Sequence, residues 1–437
     1  MPKCNREYLV FPSFDRRRIE GSFTGGDVSS DGGIMALRAA DRRTGLLKAL
    51  DAVIVDPRTP DLITHRQIDL LRQRVYGLAA GYEDLNDHDA LRVDLLWQSA
   101  VERDSTLASS PTLCRLENRV DRATAWAISR VLVEQFISSF SKEPEELILD
   151  FDATDDRVHG LQVGRAFHGY YGDWCFLPLY VFCGEQLLVS YLRPSNIDVA
   201  RHAWAILKLL VTRLREHWPD VKIIFRGDSG FCRWKMLRWC DRHGIDYIVG
   251  LAKNSRLLAL TREARDRAAK GFEEAREKQR HFVWIDYAAQ SWDRQRRVIA
   301  KAEHTVQGAN PRFVVTSLTG DPQTLCDDTY CARGEMENRI KEQQLGLFAD
   351  RTSASGWWAN QFRLLLSSAA YVLLKTIRRV GLAGSDLARA QVSTIRLKLL
   401  KIGTVILRNT RRIRLLFSSA YPHQPLFAAM LTRLSSA

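Results

Sequence analysis

LILDFD, residues 147–152, is a short apolar run that carries two carboxylates. Side chains alternate along a strand, so Asp150 and Asp152 fall on one face and Leu149 and Phe151 on the other. Asp152 stands at the carboxyl end, followed by Ala153 and Thr154. Downstream, FLPLYVFC (176–183) and QLLVSYL (186–192) flank Gly184-Glu185, which reads as a hairpin turn. Residues 199–217 read as a helix with Ala203, Leu207, Leu210, Val211 and Leu214 on one face. VKIIFRGD (221–228) is a buried strand ending in a glycine turn, 231–243 a helix, and YIVGLA (247–252) another strand.

Three strands, then helix, strand, helix and strand, is the order of an α/β protein with an RNase H-like core, a mixed five-stranded sheet with helices. Other α/β folds produce the same order. Working outward, SKEPEE (141–146) is a polar break, and 1–145 reads as a mainly helical N-terminal region. The core's first part runs over 146–253. Residues 254–312 are charged, then strand-like (FVWIDYA, RRVIAKAEHTV), and read as a β-rich insertion. The second part of the core, 313–382, holds helical 330–347 and 357–382. The remainder, 383–437, is a basic C-terminal region with a helix over 387–402 and a hairpin of TVILR (404–408) and RIRLLF (412–417).

The chain has 437 residues, 46% hydrophobic and 26% charged, which is globular and rules out a fibrous or mostly disordered protein. No apolar run approaches the roughly 18–20 residues that cross a bilayer, so no membrane role is expected. The N-terminus, MPKCNREYLVFPSFDRRR, has no long apolar stretch of the signal-peptide kind. Eight scattered cysteines, with no CxxC, read as reduced thiols of a cytoplasmic protein. The net charge is +13, and residues 375–437 hold twelve Lys/Arg against one acid, Asp386. Concentrated positive charge attracts polyanions through phosphate neutralisation.

Phosphoryl transfer on DNA commonly uses two divalent metals held by carboxylates drawn from distant positions. Asp152 is one candidate. Asp228 in FRGDSGF is the second, bracketed by Gly227 and Gly230, and it reads equally as the cap of the helix starting near Phe231. Glu337 is the third. In YCARGEMENRIKEQQ (330–344), Tyr330, Arg333, Glu337 and Lys341 form one helical stripe, which is also the pattern of a surface ion-pair ladder.

Asp152-Ala-Thr, the strand-borne Asp228 and Tyr330-x2-Arg333-x3-Glu337 resemble the DDE transposases of bacterial insertion sequences. The closest resemblance is to the clan with a tyrosine, arginine, glutamate, lysine signature. Within it, LDFDATDD, RGDSGF, YCARGEMENRIKEQQL and SPTLCRLENR resemble the insertion-sequence 1380 family. The resemblance implies an RNase H-like core interrupted by an insertion between Asp228 and Glu337. It implies two Mg²⁺ ions, with Mn²⁺ as a substitute, on Asp152, Asp228 and Glu337, and phosphate contacts from Tyr330 and Arg333. The clan lysine lies seven positions after the glutamate, where this chain has Gln344; Lys341, one turn after Glu337, takes that place.

The clan also implies cleavage at inverted-repeat ends, strand transfer into target DNA and a hairpin intermediate with a flipped base; bringing two ends together in that reaction calls for a homodimer when DNA is bound. A flipped base needs an aromatic partner, for which Trp284 and Trp292 are the candidates, although a core role suits them too. Arg408, Arg411 and Arg412 on the C-terminal hairpin are further DNA-contact candidates. Two other readings stay open: an RNase H-like two-metal nuclease without strand transfer, and a non-enzymatic DNA-binding protein.

Overall fold

The computed structural model describes residues 8–436, so Cys4 and the first part of the N-terminal stretch lie outside it. Contacts divide the chain into two units. One takes the described residues up to Leu47, then Asp56–Leu116, and Thr376 onward; the other takes Lys48–Val55 and Glu117–Lys375.

The second unit is a mixed α/β structure built on a nine-stranded sheet. Strand Glu146–Ala153 lies well inside it. On one side it pairs antiparallel with Leu179–Cys183, which pairs with the edge strand Gln186–Tyr191. On the other side it pairs parallel with Lys222–Gly227, which pairs parallel with Asp246–Leu251. Arg312–Thr316, Arg296–Thr305 and Gln279–Tyr287 follow antiparallel, with the short strand Gly308–Ala309 beside Arg296–Thr305. The strands of 254–312 therefore continue this same sheet, and helix Arg262–Ala275 lays Ala264 and Ala268 against Ala302.

The central strands are apolar on both faces because helices or other segments cover both. Leu149, Phe151, Phe225 and Val249 face a core closed by helices Arg122–Ser138, Ala203–His217 and Trp234–Arg242. The five residues read as the apolar face of the 199–217 helix are its buried ones. Ile224 and Ile248 face the other way, toward Ile299, Val314, Leu325 and Cys326. Gly184 closes the hairpin between Leu179–Cys183 and Gln186–Tyr191 with φ 58°, a left-handed conformation that costs glycine little. A small three-stranded sheet, Asp156–Arg157, Asp173–Phe176 and Ala166–His168, follows the Asp152 strand.

In the first unit, both ends of the chain interlock. Thr404–Arg408 pairs with Val28–Ser29 and with Ile413–Phe417. Lys401 donates to Asp31 at 2.6 Å, and Asp31 also accepts from Tyr82 and Trp97. The helix Ile34–Thr44 ends where Gly45 turns left-handed at φ 65°. The helix expected over 387–402 contracts to Val392–Ile395 and a π turn over Arg396–Leu400. No helix among the described residues is long and apolar enough to cross a membrane.

Candidate active site

The parallel register sets Phe151 opposite Gly227, so Asp152 and Asp228 follow side by side at the carboxyl ends of neighbouring strands. Asp228 also caps: its Oδ1 accepts from the Gly230 amide at 2.9 Å. What it caps is the short 3₁₀ turn Ser229–Phe231, whereas the α-helix starts at Trp234. Both readings of Asp228 are thus compatible, since one oxygen caps while the residue sits at a strand end.

The segment from Leu325 to Gly346 is helical throughout, in keeping with the helix read over 330–347, but not as one regular helix. It is a π turn over Leu325–Tyr330, a 3₁₀ turn over Cys331–Arg333, an α-helix over Gly334–Lys341, and a second π turn over Glu342–Gly346. Arg333 links two of the three acids. Its guanidinium donates to Asp152 Oδ2 at 3.3 Å and to Glu337 Oε1 at 2.8 Å. Burial pushes the Asp152 carboxyl up to about 6; the Arg333 charge opposes this, and the charges of Asp228 and Glu337 add to it. Asp152, Asp228, Glu337 and Arg333 therefore share one electrostatic environment.

Tyr330 belongs to it as well. Burial raises its hydroxyl, with Arg333 lowering it and Asp228 raising it. A Cβ on Gly250 would stand 2.5 Å from Tyr330 Oη and 2.7 Å from the Ser229 amide nitrogen. The bare backbone of Gly250 is what admits the tyrosine beside the Asp228 turn.

The other expected residues have surroundings of their own. Lys341 is exposed. Trp284 is half-buried, with the Arg297 guanidinium 3.9 Å from its ring centroid. Trp292 packs against the main core, edge-on to Tyr287 at 5.5 Å and close to Arg296. In the first unit, Arg408 donates to Gln98 at 2.9 Å, while Arg411 and Arg412 sit exposed at a hairpin turn whose amides bind Asn409 Oδ1.

Sequence reading missed the residues behind the cluster. Asp150, 2% exposed, takes a two-pronged ion pair from Arg226 on the next strand, and Arg226 also donates to the Thr329 carbonyl. This pins the chain one residue before Tyr330. Gln344, at the position of the clan lysine, donates to the Asp155 carbonyl at 3.0 Å. The visible signal for the first was an arginine and an aspartate in otherwise apolar strands, which are buried only when paired.

The oxygens of the three acids are not all within 4.8 Å of one another; among the described residues only Cys326, Asp327 and Cys331 form a set of three potential ligands that close. All three acids offer the oxygen donors a hard divalent cation takes, and in this structure the Arg333 guanidinium occupies the place between two of them, so a metal there would displace it.

Carboxylates at neighbouring strand ends are one arrangement by which phosphoryl-transfer enzymes hold divalent metals. The chain belongs to the transposase DDE domain group 1 family, whose model matches residues 11–437. Transposases act on DNA, and DDE transposases generally use divalent metal ions. A solved structure, the cryo-EM structure of a piggyBac transposase synaptic complex with hairpin DNA, is similar over 85% of this chain and 80% of that one, at 10% identity and a TM-score of 0.41. No curated protein matches the sequence.

Proposed function

We propose that the chain is a cut-and-paste transposase of a bacterial insertion sequence of the 1380 family, cleaving inverted-repeat ends and joining them to target DNA. The observation that carries this is the convergence of Asp152, Asp228 and Glu337, far apart in sequence, around Arg333. The strand order, with Asp246–Leu251 and Lys222–Gly227 parallel to Glu146–Ala153 and two antiparallel strands beyond it, supports an RNase H-like core.

In this reading Asp152, Asp228 and Glu337 hold two Mg²⁺ ions, which when bound polarise the scissile phosphate and activate water or a DNA 3′-hydroxyl. Arg333 leaves the acids for a phosphate oxygen of the DNA, and Tyr330 contacts the adjoining backbone. The Asp150–Arg226 pair keeps the turn before Tyr330 in place, so the two phosphate-contacting residues start from a fixed position. Lys341, Trp284, Trp292, Arg408, Arg411 and Arg412 extend the DNA contact, with the helical N-terminal region and the basic C-terminal region binding the ends. Two chains join two ends.

The test is cleavage of labelled inverted-repeat DNA with Mg²⁺. Asp228→Asn should bind the ends as the wild type does and show no cleavage; retained Mg²⁺-dependent cleavage would remove Asp228 from the site. Joined products distinguish a transposase from a nuclease, which would only nick.

A further inference from the structure

The small sheet that follows the Asp152 strand presents aromatic rings to solvent, which is unusual for a folded surface. Phe167 and Trp174 are direct cross-strand partners, with ring centroids 6.2 Å apart. They are 54% and 45% exposed, whereas their neighbours Ala166 and Cys175 are buried beneath the sheet. Pleating alone sends these pairs to opposite faces; it does not explain why the outward pair is aromatic. The Arg165 guanidinium lies 4.5 Å from the Trp174 ring centroid. In the turn between the two strands, Tyr170 is 87% exposed and edge-on to Tyr171 at 5.1 Å. Tyr171 in turn leans on His168 at 4.8 Å.

The small sheet leads on from the Asp152 strand. Asp156, four residues after Asp152, is paired to Phe176 of the same sheet. The Tyr171 hydroxyl is raised by burial and, beyond that, by the charges of Asp155 and Asp152. The sheet is also held in place, since the Val163 amide donates to the Ser355 carbonyl and a Cβ on Gly164 would run into Trp357. By contrast, Trp284 and Trp292 are half-buried.

We infer that Phe167, Tyr170 and Trp174, with Arg165, form a stacking platform for unpaired nucleotides of the DNA whose phosphate the three acids address. This rests on the transposase reading. Exposed rings interleaved with a cation match a single strand: each base has a face to stack, and the guanidinium meets the backbone phosphate or stacks in turn. Within a paired duplex the base faces are covered by stacked neighbours except at the outer face of a terminal pair, so the platform favours a frayed or overhanging end over a blunt one.

The experiment uses the full chain and a duplex with a two-nucleotide overhang bearing 2-aminopurine at its last position, without metal so that binding alone is read. Wild-type protein should quench the fluorophore and prefer the overhang to a blunt duplex. Tyr170→Ala and Trp174→Ala should abolish the quenching and weaken overhang binding by about five-fold or more, with blunt-duplex affinity unchanged. Trp174→Phe should retain both properties. Quenching and preference equal to wild type in the alanine variants would overturn the platform. So would the loss of a dimer in sedimentation caused by the same changes, since the patch would then be a self-association face. The two readings fail separately: metal-dependent cleavage that is lost in Asp228→Asn alongside unaffected quenching sinks only the platform, while platform quenching without any cleavage sinks only the transposase.

Discussion

Asp156 is a carboxylic acid kept from water. It is 1% exposed, and burial pushes it up to about 8, with Thr352 opposing and Asp350 and Asp155 adding to the rise. In the unfolded chain it titrates near 4. Between those values the native state holds a proton that the unfolded state has lost, so stability falls as pH rises through that window. The stability from the neutral carboxyl is complete below about pH 4 and gone above about pH 8. Asp156→Asn cannot ionise and should lack this dependence. Urea midpoints of wild type and variant should diverge as pH rises from 5 to 8.5, by at most about 1.4 kcal/mol per pH unit. Parallel curves would mean that Asp156 is ionised in the native protein. At the same scale, the placing of Asp152 and Asp228 at strand ends was legible, because a strand's alternation and a bounding glycine mark it. Arg226 was not, since its meaning lies in a register with Asp150, 76 positions away in the chain.

Among elements, legibility followed regularity. The 203–217 helix and the Gly184 hairpin carry a clear period or a turn residue, and they formed where the pattern put them. The 156–176 strands are two to four residues long, too short to show alternation, and went unread. The 325–346 segment misled because a 3.6-residue period assumes an unbroken helix. Its placement depends on Gly250, whose missing side chain leaves room for Tyr330 and the Asp228 turn. Gly250→Ala should keep the fold and lower DNA cleavage by something of the order of a hundred-fold, because either Tyr330 or the backbone at 228–229 must shift. Cleavage rates set beside thermal melts separate that outcome from unfolding; an active, stable variant would show that the close approach is dispensable.

For the molecule as a whole, composition located the positive charge in the last 63 residues, and this is where exposed Arg411 and Arg412 lie. Composition could not show that this stretch builds a unit with residues near the N-terminus. That depends on strand pairing between Val28–Ser29 and Thr404–Arg408 and on the Lys401–Asp31 contact, which span the length of the chain. If Arg411 and Arg412 meet DNA phosphates, replacing both with alanine should weaken binding to all sequences alike. It should also reduce the slope of log affinity against log salt by roughly two. An unchanged slope would place the phosphate contacts elsewhere.

The mixed π, 3₁₀ and α turns over 325–346 have a consequence for how this region tolerates change. Each residue of a helix advances the next by about 100°, so a one-residue deletion upstream of Gly334 would rotate Glu337 away from Asp152 while leaving every nearby amino acid intact. Drift among relatives in this stretch should therefore appear as substitutions at constant spacing, with gaps and insertions confined to the loops on either side.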